Sequence, residues 1–208
     1  MHPNRIPPTA ALALAALIST PLLAGEEPIE ANQVVGAIEG VFGVAPGERR
    51  NHTKGSCAIG EFVGTKEAAK VSRSALFSGR PVPVVARFSL AGGNPKAPDV
   101  AKSARGMALE FKLPKGLLHH ITMLNTPMFG AANPQTFLDL MLALKADPVT
   151  GRPDPERMKA FKASHPDNLA QAQYLANNNP PASYASSAYW GIHTFKAVDR
   201  KQRITLVR

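Results

Sequence analysis

Apolar residues recur along this chain with two periods, one typical of helices and one typical of strands. A spacing of three to four residues predicts helices in the segments 28–43, 66–79, 133–147, 154–164 and 166–179. The helix that begins at Asn133 is the clearest of these, because Asn133 can cap it and Pro134 suits its first turn. Glycine closes the first two helices, at Gly43 and Gly79.

Shorter runs rich in β-branched residues predict strands at 57–65, 81–93, 105–113, 119–125, 187–198 and 203–208. The third and fourth runs are joined by "PKG" and predict a hairpin. Because strands come first, helices follow and strands return, the order predicts an α+β fold with an antiparallel sheet and the helices as an insertion. The last run stops at Arg208 without a terminating turn, and we therefore expect the chain to be truncated.

The N-terminal segment has the pattern of a secretory signal peptide. Arg5 precedes an uncharged apolar run at residues 10–24, which is short for a membrane span but suits the hydrophobic region of a signal. We therefore expect a signal peptide at 1–24, one domain at 25–208, a periplasmic or secreted location and no stable membrane association after cleavage. An uncleaved anchor or a buried helix is the alternative.

Charge and cysteine content exclude several classes of protein. The formal charge is +9, but the cations are scattered and aromatic residues make up only 6% of the chain, which argues against a nucleic-acid binder. Cys57 is the single cysteine, so these 208 residues hold neither an intrachain disulfide nor a CxxC zinc site. With 44% hydrophobic and 19% charged residues, the composition is that of a globular domain.

Three segments place polar side chains where a site can form. The stretch "RRNHTKGSCAIGEFVGT" sets His52 between an arginine pair and a series of small residues. In the strand at 81–93, alternation puts Arg87 and Ser89 on one face, although an edge strand with a solvated arginine is the alternative. In "MLNTPMFGAANP", Asn125 precedes a stiff Thr-Pro pair, although a turn asparagine that caps its own backbone has the same pattern.

Together these segments resemble the haem catalases in order and spacing, and in particular the smaller exported catalase-related peroxidases. The resemblance rests on "RRNHTKGSCAIGEFVGT", "PVVARFSLAGGNPKAPDVAKSARGMALEF", "MLNTPMFGAANPQTFLDLMLALK" and "AYWGIHTFKAVD", and it covers the chain from about residue 30 onward. It implies a catalase-like antiparallel β-barrel with a helical insertion, of which this chain is the N-terminal part.

The resemblance implies a site that decomposes peroxide on the distal side of a haem. His52 matches the distal histidine, Asn125 the distal amide, and Ser89 the hydroxyl that orients the imidazole. A neutral imidazole can take and return the proton of a peroxide, and an amide can steady the peroxide by hydrogen bonding. These three are the expected catalytic residues.

The resemblance also implies a cofactor, haem b (iron protoporphyrin), and the residues that bind it. Arg49 and Arg87 match arginines that neutralise the haem propionates. Arg105 matches a further position of the motif, and Phe129 matches an aromatic position near the distal side. Gly130 stands where many catalases have a second phenylalanine, and we therefore expect a more open pocket.

The axial iron ligand of the family is a tyrosine in an Arg-x-x-x-Tyr segment. The chain has three tyrosines, Tyr174, Tyr184 and Tyr189, and none of them follows an arginine by four positions. No metal ligand is therefore assigned in these residues, and the axial tyrosine is expected beyond Arg208.

The expected function is haem-dependent peroxidase or catalase activity on hydrogen peroxide or organic hydroperoxides, in defence against oxidative stress. The expected partners are the peroxide and a small reductant, and the expected state is a monomer or a small homo-oligomer. The main alternative is a catalytically inert fragment that acts as a binding module. A nucleophile pair of Cys57 and His52 is weaker, as is a metal site at His119 and His120, because odd separations along a strand put side chains on opposite faces.

Overall fold

The computed structural model describes residues 28–208, so the predicted signal peptide lies outside the described residues. Four antiparallel strands form one sheet in the order β1–β2–β3–β4, and two further strands form a separate hairpin. The strands are β1 (Gly55–Val63), β2 (Pro81–Leu90), β3 (Arg105–Lys112), β4 (Leu118–Leu124), β5 (Phe195–Val198) and β6 (Ile204–Val207). The predicted α+β fold is confirmed, and residues 28–208 contain part of the expected barrel.

Five α-helices accompany the strands: α1 (Ala31–Phe42), α2 (Lys66–Val71), α3 (Pro134–Leu144), α4 (Pro155–Ser164) and α5 (Pro166–Asn178). The last three form the predicted insertion between β4 and β5. The side chain of Asn133 accepts a hydrogen bond from the Thr136 amide at 2.9 Å, which confirms it as the cap of α3. None of the helices within this range is both long enough and apolar enough to cross a bilayer.

Two predicted elements were wrong in extent. The segment 66–79 is α2 followed by a separate 3₁₀ turn at Ala75–Phe77, because Ser72 is extended and the Ser74 hydroxyl caps a new turn through the Leu76 amide. The segment 187–198 contains strand only from Phe195 onward, and before that point Trp190 pairs with Leu124 as an isolated bridge.

Serine side chains form a turn just before this segment. The hydroxyls of Ser186 and Ser187 both donate to the carbonyl of Ser183, so this stretch is a turn bonded to itself. Local bonds of this kind compete with strand pairing.

One face of the four-stranded sheet packs into the core. Leu76, Val82 and Phe111 are its buried centre, and Leu76 is brought there by the 3₁₀ turn. The ring of Phe62 lies edge-on to Phe111, with 5.2 Å between centroids, which is a favoured aromatic geometry. Burial on this face fixes the register, because a shift by one residue would expose the apolar set.

The opposite face carries smaller and more polar residues. Strand pairing aligns Gly55, Ser89, Gly106 and Leu124 in one row across the sheet. The next row is Cys57, Arg87, Ala108 and Thr122. Three of these eight positions are glycine or alanine, so this face has room for another object to approach the backbone closely.

Strand β1 lies at the edge of the sheet within residues 28–208. Eight of its nine residues are exposed, and the side chain of Ile59 is 88% exposed. In contrast to the other three strands, β1 therefore contributes little to the core except through Phe62.

Replacing Phe111 by alanine is expected to lower the free energy of unfolding by about 3–5 kcal/mol, because it deletes a fully buried ring at the centre of the core. Urea unfolding followed by circular dichroism measures the change. Ile59→Ala in β1 is the matched control, with an expected change within about 0.5 kcal/mol. Equal losses in the two variants would contradict this description of the two faces.

Candidate active site

His52 lies in the loop before β1 and has a left-handed backbone with φ of 52°. This conformation is unfavourable for a residue with a side chain, so its surroundings must hold it. The side chain of Asn51 accepts hydrogen bonds from the amides of His52 and Gly92, both at 2.8 Å. The Arg87 guanidinium donates to the carbonyls of His52 at 2.8 Å and Thr53 at 3.2 Å. The loop is therefore fastened to β2 and to the turn that follows it.

The imidazole of His52 is held as firmly as its backbone. Its Nδ1 lies 3.0 Å from the Ser89 hydroxyl oxygen. Gly106, which pairs with Ser89 across the sheet, allows this contact, since a Cβ there would lie 2.7 Å from that oxygen and 3.0 Å from Nδ1. Because Nδ1 is occupied by Ser89, Nε2 is the ring nitrogen left for a ligand.

Burial lowers the pKa of His52 below its ordinary value of 6.5, and the positive charges of Arg87 and Arg49 lower that pKa further. Both causes disfavour the imidazolium form. The imidazole is therefore neutral at neutral pH and can accept a proton.

A cavity of about 310 Å³ opens between His52 and the polar face of the sheet. We call it cavity A. Four of the predicted site residues line it: His52, Ser89, Arg49 and Arg87. Its walls also include the small residues Gly106 and Ala108 of β3, so it combines two cations, one imidazole and a stretch of wall with little side-chain bulk.

A second cavity of about 280 Å³, cavity B, meets cavity A at three shared residues, Asn51, His52 and Leu124. Most of its remaining lining is apolar, including Phe42, Phe129, Phe137, Leu140, Met141 and Leu175. The predicted aromatic residue Phe129 therefore lies on the second cavity and not the first. Its ring stacks on Phe137 with 5.8 Å between centroids.

Asn125 lines neither cavity. It is buried, its side-chain oxygen accepts from the Arg105 amide at 2.7 Å, and its side-chain nitrogen donates to Asn179 at 2.9 Å. Its neighbour Leu124 faces both cavities, because adjacent residues of an extended chain point to opposite sides. The contacts of Asn125 seen here are with Arg105 and Asn179, and its role beside a peroxide stays a prediction.

Arg105 is also buried and lies away from both cavities. Its guanidinium donates to the carbonyls of Asp99, Ala101 and Ser103. These bonds fold the loop between β2 and β3 onto the start of β3. The contacts seen here are thus structural, and cofactor binding by Arg105 stays a prediction.

The expectation that Gly130 opens the pocket was wrong. A Cβ at this position would lie 2.4 Å from the side-chain oxygen of Gln171 and 2.9 Å from the side-chain nitrogen of Asn168. Two side chains of α5 thus occupy the space that a larger residue at 130 would need.

The residues that the sequence pattern missed are Asn51, Leu124 and Gln171. Asn51 precedes the histidine directly, and an asparagine beside a strained loop residue is a known signal for local backbone bonding. Leu124 and Gln171 carry no such signal, because their positions at the cavities depend on strand phase and on the packing of a distant helix.

The other residues weighed from the sequence lie elsewhere. Cys57 is exposed on β1 and lines neither cavity. His120 pairs with Glu110 at 3.1 Å on the surface, and residues 28–208 contain no group of three or more side chains suited to hold a metal ion.

Comparisons with known proteins identify relatives of this chain. A sequence model of the family Catalase matches residues 45–208. A catalase-related peroxidase from Synechococcus elongatus is 52% identical over 95% of this chain and 60% of its own length. One from Mycolicibacterium paratuberculosis is 35% identical over 79% of this chain and 52% of its own length.

A solved fungal catalase superposes with a TM-score of 0.68 at 27% identity, covering 76% of this chain and 32% of that structure. The chain therefore spans between half and two thirds of the length of these two curated relatives.

Stability is expected to decrease as the pH falls below about 6.5, because unfolded His52 then binds a proton that folded His52, with its lowered pKa, does not. Urea unfolding at a series of pH values, with His52→Gln as reference, isolates this residue from the other histidines. The free energy of unfolding of the wild type minus that of His52→Gln should be smallest at the most acidic pH. A difference that stays constant with pH would contradict the lowered pKa.

Proposed function

Because the chain belongs to the catalase family, we propose that it takes part in haem-dependent decomposition of peroxides, in defence against oxidative stress. The substrate is hydrogen peroxide or an organic hydroperoxide, and a small reductant supplies electrons when the reaction is a peroxidase turnover. The observation that carries this proposal is the His52 imidazole, held by Ser89 at a cavity that two arginines border, with a pKa that burial and the two positive charges lower.

The residues around cavity A fit a haem, which catalase-family proteins typically bind, and we propose haem b. Gly106 and Ala108, in neighbouring rows of the sheet, have little or no side chain, so a planar macrocycle could approach the backbone of β3 closely. Arg49 and Arg87 would bind its propionates, since guanidinium groups stay charged and pair with carboxylates in a fork. The axial tyrosine remains an expectation for sequence beyond Arg208.

When haem is bound, its iron supplies the redox chemistry that breaks the peroxide O–O bond. The task of His52 is proton transfer: its Nε2 takes the proton from one peroxide oxygen and returns it to the departing oxygen. Ser89 keeps the ring in position through Nδ1. Burial lowers the pKa of His52 and the charge of Arg87 lowers it further, while Arg87 also holds the loop through its hydrogen bonds.

The peroxide would meet an apolar wall at Leu124 in place of the expected amide. His52 is then the main polar group of this chain that contacts the peroxide oxygens. This arrangement depends on one proton carrier, so its loss should be severe.

The inert binding module is the second candidate, and no contact in the described residues favours it. It predicts that the protein takes up no haem and turns over no peroxide. Oligomeric state stays a prediction.

We also propose export to the periplasm or the exterior. The support is Arg5 followed by the apolar run at 10–24. N-terminal sequencing of the protein recovered outside the cytoplasm should start at Gly25. Recovery only in the cytoplasm, with the initiating methionine retained, would contradict export.

His52→Gln is expected to lower peroxide kcat/KM by about 10²–10⁴-fold, because the proton carrier is lost. The protein is expressed from its complete reading frame and loaded with haem, and its Soret absorbance should match that of the wild type. Ser89→Ala, which removes one hydrogen bond, should lower kcat/KM by about tenfold.

Lys159→Ala is the control for these two variants, because Lys159 is exposed on α4 and lines neither cavity. It should retain full turnover. Wild-type activity in His52→Gln at equal haem content would reject the proposed role, and failure of the wild type to take up haem would favour the binding module.

A further inference from the structure

Three side chains of helix α5 form hydrogen bonds with the backbone of the segment that follows β4. Gln171 donates to the carbonyl of Met128 at 2.9 Å, and Asn168 donates to the carbonyl of Gly130 at 2.8 Å. The carboxylate of Asp167 accepts from the amide of Ala132 at 3.1 Å. The segment that carries Phe129 therefore has its position set by the first half of α5.

Gln171 is the member of this group that lines cavity B. Its side-chain nitrogen donates to Met128, so its side-chain oxygen points toward Gly130. That oxygen would clash with a Cβ built on Gly130. A bulky amide therefore occupies a part of the wall that the glycine leaves open.

Cavity B is the natural place for the organic group of a substrate. If haem fills cavity A, a hydroperoxide whose oxygens lie at His52 can extend into cavity B past the residues that the two cavities share. Beyond that junction the lining is largely apolar, including Phe137, Leu140 and Met141, which suits an alkyl or aryl group.

We propose that Gln171 is a specificity-determining residue: it bounds cavity B and limits the size of the organic group that a hydroperoxide can carry to His52. The proposal rests on the proposed function for its substrate class. The size limit would then come from a side chain of α5, and not from a side chain at residue 130.

The first test measures binding without turnover. Dissociation constants of two redox-inert alcohols, 2-phenyl-2-propanol and tert-butanol, are measured by ligand-detected NMR on the wild type, Gln171→Ala, Gln171→Met and Gln173→Ala. Gln171→Ala should bind the aryl alcohol about tenfold more tightly, with less than about a twofold change for tert-butanol. Gln173, exposed on the same helix, is the matched control and should change neither constant.

Gln171→Met distinguishes the effect of side-chain volume from the effect of the hydrogen bond to Met128. Methionine keeps most of the volume but cannot donate to Met128, so it should retain the wild-type ratio of the two constants. If Gln171→Met matches Gln171→Ala, loosening of the segment is the cause and the assignment is overturned. No change in Gln171→Ala, or an equal change in Gln173→Ala, also overturns it.

The second test compares kcat/KM for cumene hydroperoxide and hydrogen peroxide in the haem-loaded proteins. Gln171→Ala should raise the ratio by about tenfold. If no protein turns over any peroxide but Gln171→Ala still binds the aryl alcohol more tightly, the proposed function fails and the size limit stands. If turnover is normal and both ratios are unaffected by Gln171→Ala, the size limit fails alone.

Discussion

The hydrogen bonds from the Arg87 guanidinium to the carbonyls of His52 and Thr53 are the interactions on which the site depends. A left-handed residue costs roughly 1–2 kcal/mol, and charge-assisted bonds to its own carbonyl offset this cost. Gly55 makes the contact possible, since a Cβ there would lie 2.7 Å from a guanidinium nitrogen. Because Ser89 follows Arg87 on the same face of β2, one strand positions both the backbone and the ring of His52.

Much of this arrangement follows from periodicity in the sequence. Alternation along β2 was sufficient to put Arg87 and Ser89 on one face, and the capping signals of α3 were correct to the residue. The contact between His52 and Ser89 spans 37 positions of sequence and depends on how a loop folds back, which no local pattern contains. Leu124 lines the cavities and its neighbour Asn125 does not, so the role of Asn125 beside a peroxide stays a prediction.

Residues of the same type serve different purposes here, which is why residue type alone is a weak guide. Arg87 and Arg105 both donate to backbone carbonyls, yet of the two only Arg87 lines cavity A or cavity B. Asn51 and Asn125 both bond to backbone amides, yet only Asn51 does so at His52. In each pair, the role of a residue depends on which loop its side chain contacts, and the tertiary fold determines that contact.

The exposed strand β1 has a consequence for how the protein behaves in solution. A nine-residue edge strand with a protruding Ile59 presents unpaired backbone groups that can template pairing with another chain. Within the described range Glu61 is the one charged side chain on that strand, so the strand itself offers little electrostatic protection. The net charge of +9 over the whole chain opposes self-association, and added salt screens that charge.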